Sequence, residues 1–431
     1  MSLYSNAFLH VRARTLPLKE PPTTTSLPAS SAMPLPNRDL KVLQVVDTLS
    51  MGGAETWLMQ LLRWWHRQGS AAPQMDFLAT SGKPGIFDDE ARALGAKIFY
   101  VPYGRSNLVS FTRGLKQILR RGEYSAIHDH QDYASGWHFL MGANALPPVR
   151  VTHVHNPAYQ IRNNYGVTLS RRLAAGIGKR LVARYSTHIT GTSRQVITEY
   201  DFDGPPYCRI PKAALYCGFD PARFLGDAAA AKASLCRELD WPENSTIILF
   251  AGRIDESADL GHPQNHKNSG FAVSVGIECA RRDDRVRMLL AGAPRKSAVT
   301  ILEQRIAAAG LGGRIRFVGI RKDIERLMVA SDVLLFPSRG EGLGMVAVEA
   351  QAAGLPVLVS TAVPRECVVV PELVRFQTLE AGAAAWAADL LEHAAQPRNI
   401  VSANRRVAAS NFAIDHSARA LFELYRNGSL A

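Results

Sequence analysis

The sequence predicts an α/β protein of two doubly wound parallel-sheet domains facing across a cleft, and three observations carry that reading. Short apolar runs alternate with helical stretches through two successive cycles, the pattern of parallel sheets with crossover helices. Each cycle opens on a strand that runs into glycine: Lys41 to Leu49 before Gly52-Gly53, and Thr246 to Ala251 before Gly252. With 431 residues and 47% hydrophobic content, the chain can fill two separate cores.

In chain order, residues 1 to 37 hold Pro21-Pro22-Thr23-Thr24-Thr25-Ser26-Leu27-Pro28 without any hydrophobic period and read as a disordered tail. A first domain is expected over 38–225. It starts with the Lys41 to Leu49 strand and a helix to about His66, and continues with strands at Met75 to Ala79, Ile98 to Val101, Ala126 to His128, Val149 to His153 and His188 to Thr190. The stretch 226–244 marks the boundary. A second domain is expected over 245–411, with strands at Thr246 to Gly252, Arg287 to Ala291, Ile315 to Val318, Val333 to Phe336 and Pro356 to Val359.

Composition narrows the function. No apolar run approaches the roughly 18 residues of a membrane span, and Arg12, Arg14 and Lys19 interrupt any leader-like core, so the expected location is the cytoplasm, including the inner face of the membrane. Cys208, Cys217, Cys236, Cys279 and Cys367 are odd in number and contain no Cys-x-x-Cys pair, the pattern of reduced thiols. The net charge of +12 is uneven: residues 38–222 carry 22 Lys or Arg against 14 Asp or Glu, and residues 223–431 carry 25 against 23. Between Ser170 and Tyr185, Leu173, Ile177 and Leu181 form an apolar stripe, with Arg171, Arg172 and Lys179 on another flank. Such a pattern suits an anionic membrane surface or a pyrophosphate-linked acceptor, but more often belongs to a helix that packs its stripe and solvates its charges. Zinc-finger spacing, ribonucleoprotein signatures and aromatic-interleaved basic motifs are missing, which argues against a nucleic-acid partner.

The chemistry concentrates in Arg339-Gly340-Glu341-Gly342-Leu343-Gly344-Met345-Val346-Ala347-Val348-Glu349. A glycine-rich turn joins the Val333 to Phe336 strand to a helix from Met345 to Ala353, ended by Gly354-Leu355-Pro356. Helix starts at the carboxyl edge of a parallel sheet offer N–H groups to phosphate, here near Gly344 and Met345. Glu341 in the turn and Glu349 over a turn further on then flank an anion site with two carboxylates. That arrangement fits a nucleotide sugar, with one carboxylate on the sugar and the other on the ribose.

Glu341-Gly342-Leu343-Gly344, Glu349-Ala350-Gln351-Ala352-Ala353-Gly354-Leu355-Pro356-Val357 and Pro364-Arg365-Glu366 together resemble the retaining glycosyltransferases of family 4, a group with the GT-B fold of two Rossmann-like domains. The resemblance implies that Glu341 contacts the donor sugar and Glu349 the ribose. It also implies that Arg253 in Gly252-Arg253 and Lys267 in Lys267-Asn268 neutralise the leaving diphosphate, whose developing charge such groups stabilise. Thirteen residues separate these two, where family members have a shorter loop; this insertion is either a lid or a plain surface excursion. Ile127-His128-Asp129-His130 resembles the family's His-x-His strand end, which sets His130 facing the donor sugar, and His155 is a candidate for the acceptor side. Gly52 and Gly53 match the family's glycine loop near the donor phosphates. Leu215-Tyr216-Cys217-Gly218-Phe219-Asp220-Pro221 resembles the closing segment of the first domain, and the final helix within 412–431 is implied to cross back to that domain.

His128, Asp129, His130 and Asp132 look like metal ligands, but strand alternation sends 128 and 130 to one face and 129 to the other. Asp201-Phe202-Asp203, a formal Asp-x-Asp, precedes Gly204-Pro205-Pro206 and reads as a turn. Neither a metal nor another cofactor is expected. The function implied is retaining, metal-independent transfer of a sugar from a nucleoside-diphosphate sugar to a carbohydrate or lipid-linked acceptor, in cell-surface or exopolysaccharide synthesis. A GT-B-shaped sugar-nucleotide epimerase and a non-catalytic sugar-nucleotide-binding scaffold are the alternatives.

Overall fold

The computed structural model describes residues 40–430 apart from 51, 70–71, 161–167, 256, 258–261, 263–264 and 294–295. The tail, and most of the insertion before Lys267, lie outside the described residues.

Two all-parallel sheets form the framework. The first contains β1 (Lys41–Val46), β2 (Gln74–Ala79), β3 (Ile98–Tyr100), β4 (Ala126–Asp129), β5 (Val149–Val154), β6 (His188–Gly191) and β7 (Lys212–Ala214), in the order β3-β2-β1-β4-β5-β6-β7. The second contains β8 (Thr246–Ala251), β9 (Val286–Ala291), β10 (Ile315–Gly319), β11 (Val333–Phe336), β12 (Val357–Ser360) and β13 (Val374–Gln377), in the order β10-β9-β8-β11-β12-β13. Both orders reverse direction next to their first strand, between β1 and β4 and between β8 and β11, and ligands of doubly wound sheets collect outside the strand ends at such points. The doubly wound architecture read from the sequence is the one observed. Two edge strands, β7 and β13, escaped the sequence reading because three or four half-buried residues leave too little pattern.

Each sheet buries both faces, which is why its central strands read as continuous apolar runs. The stretch 226–244 contains a helix, Ala228–Leu239, whose start is capped by Asp227. Its Leu235 and Cys236 join Trp241 in the core beneath the second sheet. Near the end of the chain, an isolated bridge joins Phe219 to the segment before the last helix (Phe219 N to Phe412 O, 2.9 Å; Ile414 N to Phe219 O, 2.8 Å). The helix Ile414–Asn427 then buries Ala418, Leu421, Phe422, Leu424 and Tyr425 against the helix Gly53–Arg67 of the first lobe. Trp57 Nε1 donates to Ser417 Oγ across that contact.

The basic helix, Leu169–Tyr185, does not pack the stripe read from its sequence. Leu173 and Ile177 stay 59% and 43% exposed, with Leu169 at 73%. The helix instead buries Gly178 and Val182, because Gly136 and Gly178 let it approach the helix Ala134–Gly142. A Cβ at Gly136 would lie 2.2 Å from the Gly178 carbonyl oxygen. Among the described residues, no helix is long and apolar enough to cross a membrane.

Candidate active site

The candidate edge of the second lobe is built at the carboxyl ends of β8 and β11. Arg253 leaves β8 exposed and makes no hydrogen bond among the described residues. Lys267 Nζ pairs with Glu341 Oε1 at 2.7 Å and sits over the Phe336 ring, and Ser338 Oγ donates to the same carboxylate oxygen at 2.6 Å. Asp255, absent from the sequence reading, fixes the segment that carries Lys267. Its carboxylate accepts the N–H groups of Lys267 (3.0 Å) and Ser269 (2.7 Å), holding the start of the helix Ser269–Arg282 beside β8 whatever the length of the insertion.

Gly344 precedes the helix Met345–Ala352 with φ of 91°, a conformation open to glycine, and a Cβ there would come within 2.8 Å of Val363. Glu349 lies on the same helix. Burial, together with nearby Glu325, pushes its carboxyl up to about 7.

The facing edge of the first lobe carries a ladder of histidines. Register pairs Gln44 with His128 and His128 with Val151, so Gln44, His128, His130, His153 and His155 share one sheet face, beneath Trp57 and Tyr425. Alternation put His128 and His130 together as read from the sequence; the neighbouring strand adds His153, and one nitrogen from each of these three rings lies within 4.8 Å of the others. Within that trio His128 and His153 are hydrogen-bonded to each other, and His130 is bonded to residues outside it. His128 bridges Tyr425 OH (2.6 Å) and His153 Nδ1 (3.1 Å), while His130 bridges Gln44 Oε1 (2.8 Å) and His155 Nε2 (2.9 Å). Neither ring nitrogen of His130 is therefore free for a substrate. Burial drives all four pKa values down, that of His155 to about 3, so the rings are neutral. Asp129 points to the other face, toward Ser135 and His138, and Asp132 accepts the His155 N–H at 2.9 Å. Asp203 pairs with Arg194, and Asp201 lies in the turn.

The two edges touch. A Cβ on Gly342 would lie 1.9 Å from the His155 carbonyl oxygen, Gln160 Nε2 donates to Gly340 O at 2.8 Å, and Glu366 accepts the Arg194 and Gln195 N–H groups at 2.8 and 3.0 Å. The turn bearing Glu341 is thus seated against the strand end bearing His155. Gly52 and Gly53 start the first helix of the facing lobe; Glu55 folds over Gly52, and Gly53 is open.

Gln44 and Asp255 had sequence signals of a kind: a lone amide within the apolar run Lys41–Val46, and an acid two residues past Arg253. Tyr425 and Glu366 had none that named their partners.

Known proteins agree with this architecture. A model described as Glycosyltransferase Family 4 matches residues 51–222, and one described as Glycosyl transferases group 1 matches residues 245–394. The putative glycosyltransferase EpsF of Bacillus subtilis (strain 168) is 29% identical over 83% of this chain and 88% of its own. A D-inositol 3-phosphate glycosyltransferase of Mycobacterium sp. (strain KMS) is 34% identical over 71% of this chain and 70% of its own. Among solved structures, Anabaena Alr3699/HepE in complex with UDP aligns at a TM-score of 0.68 and 19% identity, covering 89% of this chain and 98% of that one. WaaG, a glycosyltransferase involved in lipopolysaccharide biosynthesis, aligns at 0.66 and 15% identity, over 90% and 100%. With both lobes matched and a relative above 30% identity over most of its length, the chain belongs to the family 4 glycosyltransferases, enzymes of the two-domain GT-B fold.

Proposed function

We propose that this glycosyltransferase moves a sugar from a nucleoside-diphosphate sugar to a carbohydrate or lipid-linked acceptor, with retention at the anomeric carbon and without a metal. The observation that carries the reading is the Lys267–Glu341 pair beside exposed Arg253, seated against the His155 strand end of the other lobe. Lys267, Arg253 and the N–H groups at Gly344 and Met345 take the diphosphate, and offset the charge that builds on it as the glycosidic bond breaks. Glu341 holds sugar hydroxyls and Glu349 the ribose. Gly52 and Gly53 line the approach from the first lobe, and His130 acts through His155.

Glu341 is tied to Lys267 and Ser338, which favours same-face attack, with the leaving phosphate drawing the acceptor's proton, over a covalent adduct. The UDP and UDP-glucose complexes of HepE support a uridine-linked donor, and the role of WaaG in lipopolysaccharide supports a cell-surface glycan product. The exposed apolar residues of Leu169–Tyr185, flanked by arginines, support contact with an anionic membrane face where a lipid-linked acceptor would lie.

The test is release of nucleoside diphosphate from UDP-glucose, UDP-galactose, UDP-N-acetylglucosamine and GDP-mannose, with and without chelator, beside Glu341→Ala. Release from one donor, indifferent to chelator and lost in the variant, is expected. Chelator-sensitive release would remove the metal-free reading. Binding without turnover, even with suitable acceptors, would favour a scaffold.

A further inference from the structure

The histidine ladder has a direction, and Gln44 sets it. Its amide donates Nε2–H to Tyr425 OH at 3.1 Å and turns Oε1 to His130 at 2.8 Å. His130 must then carry its proton on Nε2, leaving Nδ1 to accept from His155 Nε2–H. On the other arm, Tyr425 OH accepts from Gln44 and so donates to His128 Nδ1, and His128 donates Nε2–H to His153 Nδ1. The chain ends on His153 Nε2, which is buried without a hydrogen-bond partner among the described residues, in a ring that meets Trp57 edge-on with centroids 5.5 Å apart. All the bonds agree in one direction, and the ring nitrogen left over at the interlobe end is His155 Nδ1, unprotonated and without a partner among the described residues.

We infer that His155 Nδ1 is the hydrogen-bond acceptor the first lobe presents to a substrate hydroxyl in the cleft, and that Gln44 and Tyr425 are positioning residues that hold it in that tautomer. The inference rests on the glycosyltransfer reading for its substrate. A neutral acceptor orients a hydroxyl without taking its proton, which leaves proton transfer to the departing phosphate.

Two measurements decide it. Long-range nitrogen–proton NMR correlation of the full chain labelled at histidine should find His155 neutral and protonated on Nε2 at pH 7, and Tyr425→Phe should mix its tautomers. A His155 ring protonated on Nδ1, or charged, would overturn the assignment. In turnover of the donor found in the panel above, His155→Asn, whose amide sits near the Nδ1 position, should retain activity better than His155→Gln, whose amide sits near Nε2. The expected gap in kcat/KM is roughly three- to tenfold, the worth of one neutral hydrogen bond. The opposite ranking would mean that His155 serves only to hold His130. Failure of wild-type turnover with every donor would overturn the functional reading instead, with the NMR result still deciding the tautomer.

Discussion

Lys267 Nζ lies 2.7 Å from Glu341 Oε1, joining the end of the insertion after β8 to the turn after β11. The two side chains keep 23% and 13% of their exposure, so the pair is only partly screened by water. Lys267→Met should lower kcat by roughly 10² to 10³, the cost of removing one charge-stabilising donor. A double-mutant cycle with Glu341→Gln, followed by chemical denaturation, should give a coupling of about 0.5–3 kcal/mol. No coupling would mean that the pair is incidental to the fold.

Asp255 accepts two backbone N–H groups at the root of Lys267. Asp255→Ala should cost about 2–4 kcal/mol in unfolding free energy, since both bonds go to a charged acceptor. It should also raise the donor KM by letting Lys267 wander, and steady-state kinetics at matched folded fraction would check this.

Glu349 makes stability fall as pH rises. Its pKa in the folded chain is raised to about 7, from the ordinary glutamate value of 4.5, so the native state holds a proton that the unfolded chain has released between those values. Glu349→Gln should therefore melt higher than wild type at pH 8, on the order of a degree or two, with the difference vanishing near pH 4. The four neutral histidines act in the opposite sense: folding keeps them unprotonated, so their share of stability is lost as pH falls below about 6.5. Melting curves of the two proteins across pH 4–8 cancel the histidine contribution and isolate that of Glu349.

Gly342→Ala should act as a wedge. The new methyl would meet the His155 carbonyl oxygen at 1.9 Å, so the lobes must part. Donor binding measured by calorimetry should hold within about threefold, while kcat falls by about 10²-fold or more, the cost of a misplacement near 1 Å. Equal losses in both would show that the contact serves donor binding alone.

Leu173→Glu with Ile177→Glu should leave melting unchanged, since both side chains are already exposed, and should abolish flotation with phosphatidylglycerol vesicles. Binding of the wild type to these vesicles and not to phosphatidylcholine vesicles is expected, weakening with salt. Flotation unaffected by the substitutions would exclude this helix as the contact.

The architecture and the second lobe's edge were legible in the amino-acid pattern. Central strands buried on both faces write continuous apolar runs, and glycine turns after β8 and β11 bring Arg253, Glu341 and the Met345 helix to one sheet edge by local geometry alone. The insertion could not be read across from pattern, and it was the tertiary structure that returned Lys267 to Glu341, through the Asp255 carboxylate. The histidines show the same division. Period-two alternation put His128 and His130 on one face, but their partners come from β1, β5 and a helix almost 300 residues away, because parallel register and the return of the last helix bring together residues that no sequence spacing connects. Only that packing decided that both nitrogens of His130 are spent within the first lobe, and that Gly342 closes on the carbonyl of His155.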